Sequence, residues 1–249
     1  MRRFEDRSIL VTGAASGIGR ATAERLAAEG GRVFCADRDA DGVAAVVAAI
    51  RAAGGVAEGR AFDVSDEADA TATVEAAVAA FGGLDVLCNV AGILRFDHFH
   101  EIATADWRRV MAVNLDGTFF MCRAAVPHLL ARRGNIVNVA STAATHGQPW
   151  AAAYAASKGG VLALTHTLAT DYARQGLRAN AVLPCDVATP IFHAFQMPAG
   201  AEPKLVKRVQ APTGSGKPAD VAGVIAMLAS DDGAHMTGAE LRIDGGTWA

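Results

Sequence analysis

Along the whole chain, short runs of adjacent apolar residues alternate with longer stretches whose apolar positions recur at helical spacing. The runs S-I-L-V-T (8–12), R-V-F-C-A (32–36), V-A-E-G-R-A-F (56–62), L-D-V-L-C-N (84–89), N-I-V-N-V-A (135–140), R-A-N-A-V-L-P (178–184) and E-L-R-I-D (240–244) predict strands. Between them the pattern predicts helices over roughly 17–29, 40–53, Asp66 to Phe81, from Thr104 onward, 152–174 and 218–229. Pro218 falls in the favoured first turn of the last helix. Pro127 lies inside the helix that starts near Thr104 and should kink or end it.

Strands that alternate with helices in this way predict an α/β fold, a parallel sheet with helices on both faces. Right-handed crossovers then favour a doubly wound, Rossmann-type sheet of about seven strands. With 249 residues and no repeat or linker, residues 1–249 read as one domain. The stretch 186–216 contains four prolines and no clear periodicity, which marks it as a substrate-binding loop.

Composition narrows the function. Hydrophobic residues at 51% against 20% charged give enough apolar material for a large core and exclude disorder. A net charge of −3 provides no general attraction for nucleic acid or an acidic membrane. No run is long enough for a membrane helix or signal peptide, and the four cysteines have no C-x-x-C pair, so reduced thiols and a cytoplasmic location are expected. No metal site is expected; His98 and His100 are better read as polar loop residues.

V-T-G-A-A-S-G-I-G-R (11–20) joins the first strand to the first helix. Gly13, Gly17 and Gly19, with Ser16 and Ile18 in the same turn, let the backbone approach a pyrophosphate at a helix N-terminus. Asp37, at the end of the second strand, can accept hydrogen bonds from ribose hydroxyls and would repel a 2′-phosphate; helix capping is its structural alternative. This favours NAD over NADP, although Arg38 beside it could hold a phosphate. T-G-S-G-K-P (213–218) looks like a phosphate loop but has Ala211 and Pro218 where that motif needs Gly and Ser or Thr.

Tyr154 and Lys158, in A-A-A-Y-A-A-S-K, share one helix face. An ammonium near a phenol should lower its pKa towards the range of a general base. Ser141 follows a strand at the sheet's ligand-binding edge, and Asn114 sits within a helix that its propensity does not favour.

Taken together, T-G-x-x-x-G-I-G at 12–19, Asp63-Val64, N-V-A-G at 89–92, Asn114, Ser141, Y-x-x-S-K at 154–158 and D-G-G at 244–246 resemble the short-chain dehydrogenase/reductase family, in its branch of about 250 residues, over nearly the whole chain. The resemblance implies that Tyr154 exchanges a proton with the substrate oxygen and that Ser141 hydrogen-bonds that oxygen. It implies that Lys158 lowers the Tyr154 pKa and holds the nicotinamide ribose, and that Asn114 holds a relaying water. Asp63 and Val64 would line the adenine site, Asn89, Ala91 and Gly92 would follow the cofactor, and Pro184, Val187 and Thr189 would meet the nicotinamide. The family's usual P-G is P-C here, at Pro184-Cys185, which puts the local turn in doubt.

Leu94, Phe96, His146, Gln148, Trp150, Asp186 and Phe192, with His98 and His193, are the substrate-side candidates. They combine aromatic walls with neutral hydrogen-bonding groups, so an uncharged secondary alcohol or ketone is expected. A 3-oxoacyl or 3-hydroxy acid substrate, with NADP, is the alternative; its carboxylate clamp would come from Arg95, Lys204, Lys207 or Arg208. A nicotinamide-binding regulator without turnover is the alternative of another class. The helix over 152–173 carries only Lys158 and Asp171 as charges, which predicts a second subunit on its outer face, in a homodimer or homotetramer.

Overall fold

A computed structural model describes residues 2–193 and 195–249, with the His193 side chain outside the description. Seven parallel strands form one sheet: β1 (Ser8–Thr12), β2 (Arg32–Asp37), β3 (Val56–Ala61), β4 (Val86–Asn89), β5 (Asn135–Val139), β6 (Arg178–Pro184) and β7 (Glu240–Ile243). Their order across the sheet is β3-β2-β1-β4-β5-β6-β7. The order reverses between β1 and β4, and that is where a crevice opens at the strands' carboxyl ends.

The strand period of two distributes one core to each face. Ile9 and Val11 of β1 join the cluster under α1 (Gly17–Ala28), α2 (Ala40–Ala52) and α8 (Pro218–Ala229). Leu10 points to the opposite cluster, under α3 (Glu67–Phe81) and α5 (Gly117–Arg132), with Leu87, Met121 and Ile136. Each of these fully buried side chains contributes roughly 1.5–3 kcal/mol over its exposed state. Truncating one, as in Leu10→Ala, should cost roughly 2–5 kcal/mol.

Helix starts follow from side-chain capping. Asp66 accepts a hydrogen bond from the Asp69 N–H at the head of α3, and Asp39 accepts one from Gly42 N–H at the head of α2. Because Asp39 caps α2, Asp37 is released from that duty.

The helix that begins at Thr104 departs from expectation. It runs as α4 (Thr104–Met111), widens into a π-helical turn over Ala112–Asp116, and continues as α5. Pro127 neither ends it nor coincides with the interruption. Pro127 and Arg123, one turn earlier, are both exposed, so water can satisfy the carbonyl that the proline leaves without a donor. The widened turn falls on Asn114 instead, which is fully buried.

Helix α6 (Ala152–Tyr172) follows β5, and a four-residue helix α7 (Pro190–His193) opens the segment after β6. That segment returns to the sheet edge through a bridge between Val187 and Gly216.

Candidate active site

A cleft of about 650 Å³ lies over the crevice between β1 and β4. Of the cofactor, catalytic and substrate candidates expected from sequence, Asn89, His98, Asn114 and His146 do not line it, the His193 side chain lies outside the described residues, and the others do. At one end are the glycine turn, Asp37, Arg38 and Asp63; at the other are Ser141, Tyr154, Pro184 and the segment after β6.

The glycine turn is built for close backbone approach. Gly13 has φ +67°, and a Cβ there would lie 2.8 Å from the Ala91 nitrogen. A Cβ on Gly19 would overlap the Gly13 carbonyl oxygen. Ser16, at the N-cap of α1, makes no side-chain capping bond, so N–H groups of the first turn face the cleft with the helix dipole behind them. Thr12 Oγ1 accepts from both Val90 N (3.0 Å) and Ala91 N (3.1 Å) and so fastens the ends of β1 and β4 together. These features fit a dinucleotide pyrophosphate.

Asp37 accepts hydrogen bonds from Ala15 N at 3.1 Å and Asp39 N at 3.1 Å, which orient its carboxylate at the end of β2. Asp63 accepts from Ser65 N and Ser65 Oγ, and these bonds hold its carboxyl below the usual range, with Arg38 and Arg109 adding to the effect. Arg109, on α4, is a cleft residue that no motif in the sequence signals.

Tyr154 and Ser141 meet at the chemical end, where their hydrogen bond lowers the phenol pKa. Burial outweighs it, and the net shift is upward. Acidification by Lys158 is therefore not produced by the protein alone. Its Nζ lies 5.8 Å from the Tyr154 ring centroid and donates to the Val139 carbonyl at 2.7 Å. Desolvation pulls Lys158 itself down to about 8. With one bonded proton among the three of an ammonium, Lys158 keeps two donors for a ligand.

Asn114 does not reach the cleft. Its amide accepts from Ile93 N (2.8 Å) and donates to Ile93 O (2.9 Å) and Ser157 Oγ (3.0 Å). Both amide N–H groups are committed, so the side chain fixes the loop after β4 rather than donating to a relaying water. The effect is local: a Cβ on Gly92 would lie 3.3 Å from Asn114 Oδ1 and 3.4 Å from Lys158 Nζ, so Gly92 passes between them. Asn89 is a floor residue, donating to Asn138 Oδ1 at 2.9 Å and to Cys122 Sγ at 3.2 Å.

On the substrate side, His146 turns away and stacks on Trp248 with ring centroids 4.3 Å apart. Asp186 borders the cleft, but both carboxylate oxygens are taken, by Ala211 N at 2.9 Å and Ser215 Oγ at 2.7 Å. The left-handed backbone falls at Asp186 (φ +48°) and not at Cys185, which explains why a glycine is dispensable at 185. Phe195, unmarked in the sequence, lines the wall edge-on to Phe96 at 4.6 Å. His98 bonds the Ala199 carbonyl at 2.9 Å.

The other three thiols lie away from the cleft: Cys35, Cys88 and Cys122 are buried, each pushed up to about 12 by burial. Among the described residues, no helix is long and apolar enough to cross a membrane.

Comparison with known proteins agrees with this geometry. The family model described as enoyl-(acyl carrier protein) reductase matches residues 13–247. D-threitol dehydrogenase of Mycolicibacterium smegmatis is 41% identical, over 98% of this chain and 94% of its own. The 3-oxoacyl-(acyl-carrier-protein) reductase of Thermotoga maritima is 38% identical, over 98% of each. The crystal structure of a short chain dehydrogenase from Burkholderia cenocepacia in complex with NADP superposes with a TM-score of 0.90 at 34% identity, covering 99% of this chain and 100% of that one. Full-length similarity to named dehydrogenases and reductases shows the family: the chain belongs to the short-chain dehydrogenase/reductase family, oxidoreductases that act on CH–OH groups.

Proposed function

We propose that this protein is an NAD-dependent oxidoreductase interconverting an uncharged secondary alcohol and its ketone, with Tyr154 as general acid/base. The observation that carries the substrate reading is the charge of the cleft's chemical end. Among the described residues Lys158 is the one cation lining it, and Arg38 and Arg109 lie at the opposite end beside Asp63. Arg95 pairs with Asp97 and Asp106, and Lys204, Lys207 and Arg208 are exposed while Val206 and Val209 turn inward. A substrate carboxylate would have no clamp there. Gln148, half-buried in the wall, offers a neutral amide instead. The D-threitol dehydrogenase relative is named for an uncharged polyol, in keeping with this reading. The acyl-carrier reductase relative supports the runner-up, a 3-oxoacyl or 3-hydroxy acid substrate.

The nicotinamide ring, when bound, supplies the hydride acceptor, and its positive charge favours the phenolate. The remaining work belongs to the chain. The glycine turn holds the pyrophosphate, Asp37 the adenosine ribose, and Asp63 with Val64 the adenine. Lys158 would donate to the nicotinamide ribose, while Thr189 and Val187 would orient the ring. Ser141 would fix the carbinol oxygen, and Tyr154 would take its proton. Asn114 and Gly92 keep Lys158 in register. Asp37 is the basis for NAD, because a 2′-phosphate would meet a carboxylate.

The test is a panel of secondary alcohols, polyols and 3-hydroxy acids, with NAD and NADP in parallel, followed by cofactor absorbance. Turnover of neutral alcohols with NAD is expected. Turnover confined to hydroxy acids, or preference for NADP, would overturn the corresponding part. No turnover with any member would favour a nicotinamide-binding regulator.

A further inference from the structure

The described residues of the segment after β6, 187–193 and 195–210, leave the end of that strand, cover the chemical end of the cleft, and return beside their own starting point. Its wall residues include Ile191, Phe192, Phe195, Val206 and Val209. Asp186 accepts three hydrogen bonds at the root of this segment. Oδ2 takes Ala211 N–H at 2.9 Å, Oδ1 takes Ser215 Oγ–H at 2.7 Å, and the main-chain oxygen takes Gly216 N–H at 2.8 Å. The adjoining bridge from Val187 to Gly216 is completed by Ala188 N donating to Gly216 O at 2.9 Å. Opposite the root, the loop after β4 meets the segment twice, through Phe96 on Phe195 and His98 on Ala199.

The geometry points to Asp186 as a positioning residue: its carboxylate ties both ends of a lid and so sets how much of the population has the substrate wall in place. This rests on the alcohol-oxidoreductase reading for its kinetic arm only. The physical argument is one of population. Two charge-assisted hydrogen bonds hold the returning strand against the departing one. Without them the closed arrangement is a smaller fraction of the ensemble, and apparent substrate affinity falls by that fraction. The reacting groups Ser141, Tyr154 and Lys158 are carried by β5 and α6, outside the lid, so chemistry at saturation should survive.

Two variants suit the left-handed backbone at this position. Asp186→Gly removes the carboxylate, and Asp186→Asn keeps one acceptor while turning an N–H towards the other donor. Asp186→Gly should raise KM for the best alcohol of the panel about tenfold or more, with kcat within about threefold. Asp186→Asn and Ser215→Ala should give smaller rises in the same direction. Hydrogen exchange of amides 195–209 should accelerate in the same rank order, with β4 and β5 unchanged. The dissociation constant of ADP-ribose, which occupies only the nucleotide end, should stay within about twofold. The assignment is overturned if KM and lid exchange both match wild type, or if kcat collapses while KM holds. A wild-type protein inactive on every alcohol would defeat the functional reading, and the exchange measurement would still decide the role of Asp186.

Discussion

Removing the amine of Lys158 should change how stability responds to pH, and the sign is fixed by the structure. Lys158 is 4% exposed, and burial lowers its pKa from 10.5 to about 8. The folded state therefore disfavours the charged amine. Its contribution is best above 10.5, falls as pH drops towards 8, and is at its worst below 8. At about 1.4 kcal/mol per pKa unit, the span is on the order of 3 kcal/mol. Lys158→Met has no such titration. It also leaves the Val139 carbonyl without its donor, at a cost of roughly 1–3 kcal/mol. The two effects nearly cancel at pH 7, so the variant should be about as stable as wild type there and clearly less stable at pH 10.5. The assay is urea unfolding of both proteins from pH 7 to 10.5, at fixed protein concentration and ionic strength. Every other titrating group cancels in the difference between them. Parallel curves, with a difference constant to within about 1 kcal/mol, would show that Lys158 is not desolvated as described.

Further expectations concern turnover, cofactor and assembly. Tyr154→Phe should abolish NADH production while NAD affinity, measured by calorimetry, survives; retained turnover would count against the proton role. Gly19→Ala places a methyl on the Gly13 carbonyl and should weaken NAD binding at least 100-fold or prevent folding, whereas Ala15→Ser serves as a mild control in the same turn. Helix α6 leaves Ala156, Ala163, Thr167 and Thr170 exposed, with His166 and Asp171 beside them, a surface of mostly small residues suited to close helix contact. Light scattering should therefore find a dimer or tetramer, and a 25.6 kDa species would refute the pairing.

Much of the architecture was legible because strands buried on both faces read as apolar runs and helices read as periodic ones. The glycine turn was legible for a related reason, since a backbone that must come so close to Ala91 tolerates no Cβ. The π-helical turn at Ala112–Asp116 was not, because one extra residue per turn leaves no period to detect and Pro127 offered a stronger but misleading cue. The hydrogen-bond and stacking partners of His146 and Asp186 were not legible for another reason. Those partners, Trp248 and Ala211 with Ser215, are remote in sequence, and nothing local encodes the pairing. The electrostatics of Tyr154 also needed coordinates. A spacing of four positions places the amine nearby, but only geometry reveals that it donates one proton to Val139 and that burial of the phenol outweighs the Ser141 hydrogen bond.

The reversal of strand order has an evolutionary corollary. Cleft residues at the glycine-turn end come mainly from the chain up to Ser65, whereas those at the Tyr154 end come from Gly92 onward. Selection can thus remodel one stretch of the gene to accept a new metabolite while the other stays under separate constraint. Under the proposed function, substitutions confined to the later part of the chain would reshape what is oxidised and leave the coenzyme's grip untouched.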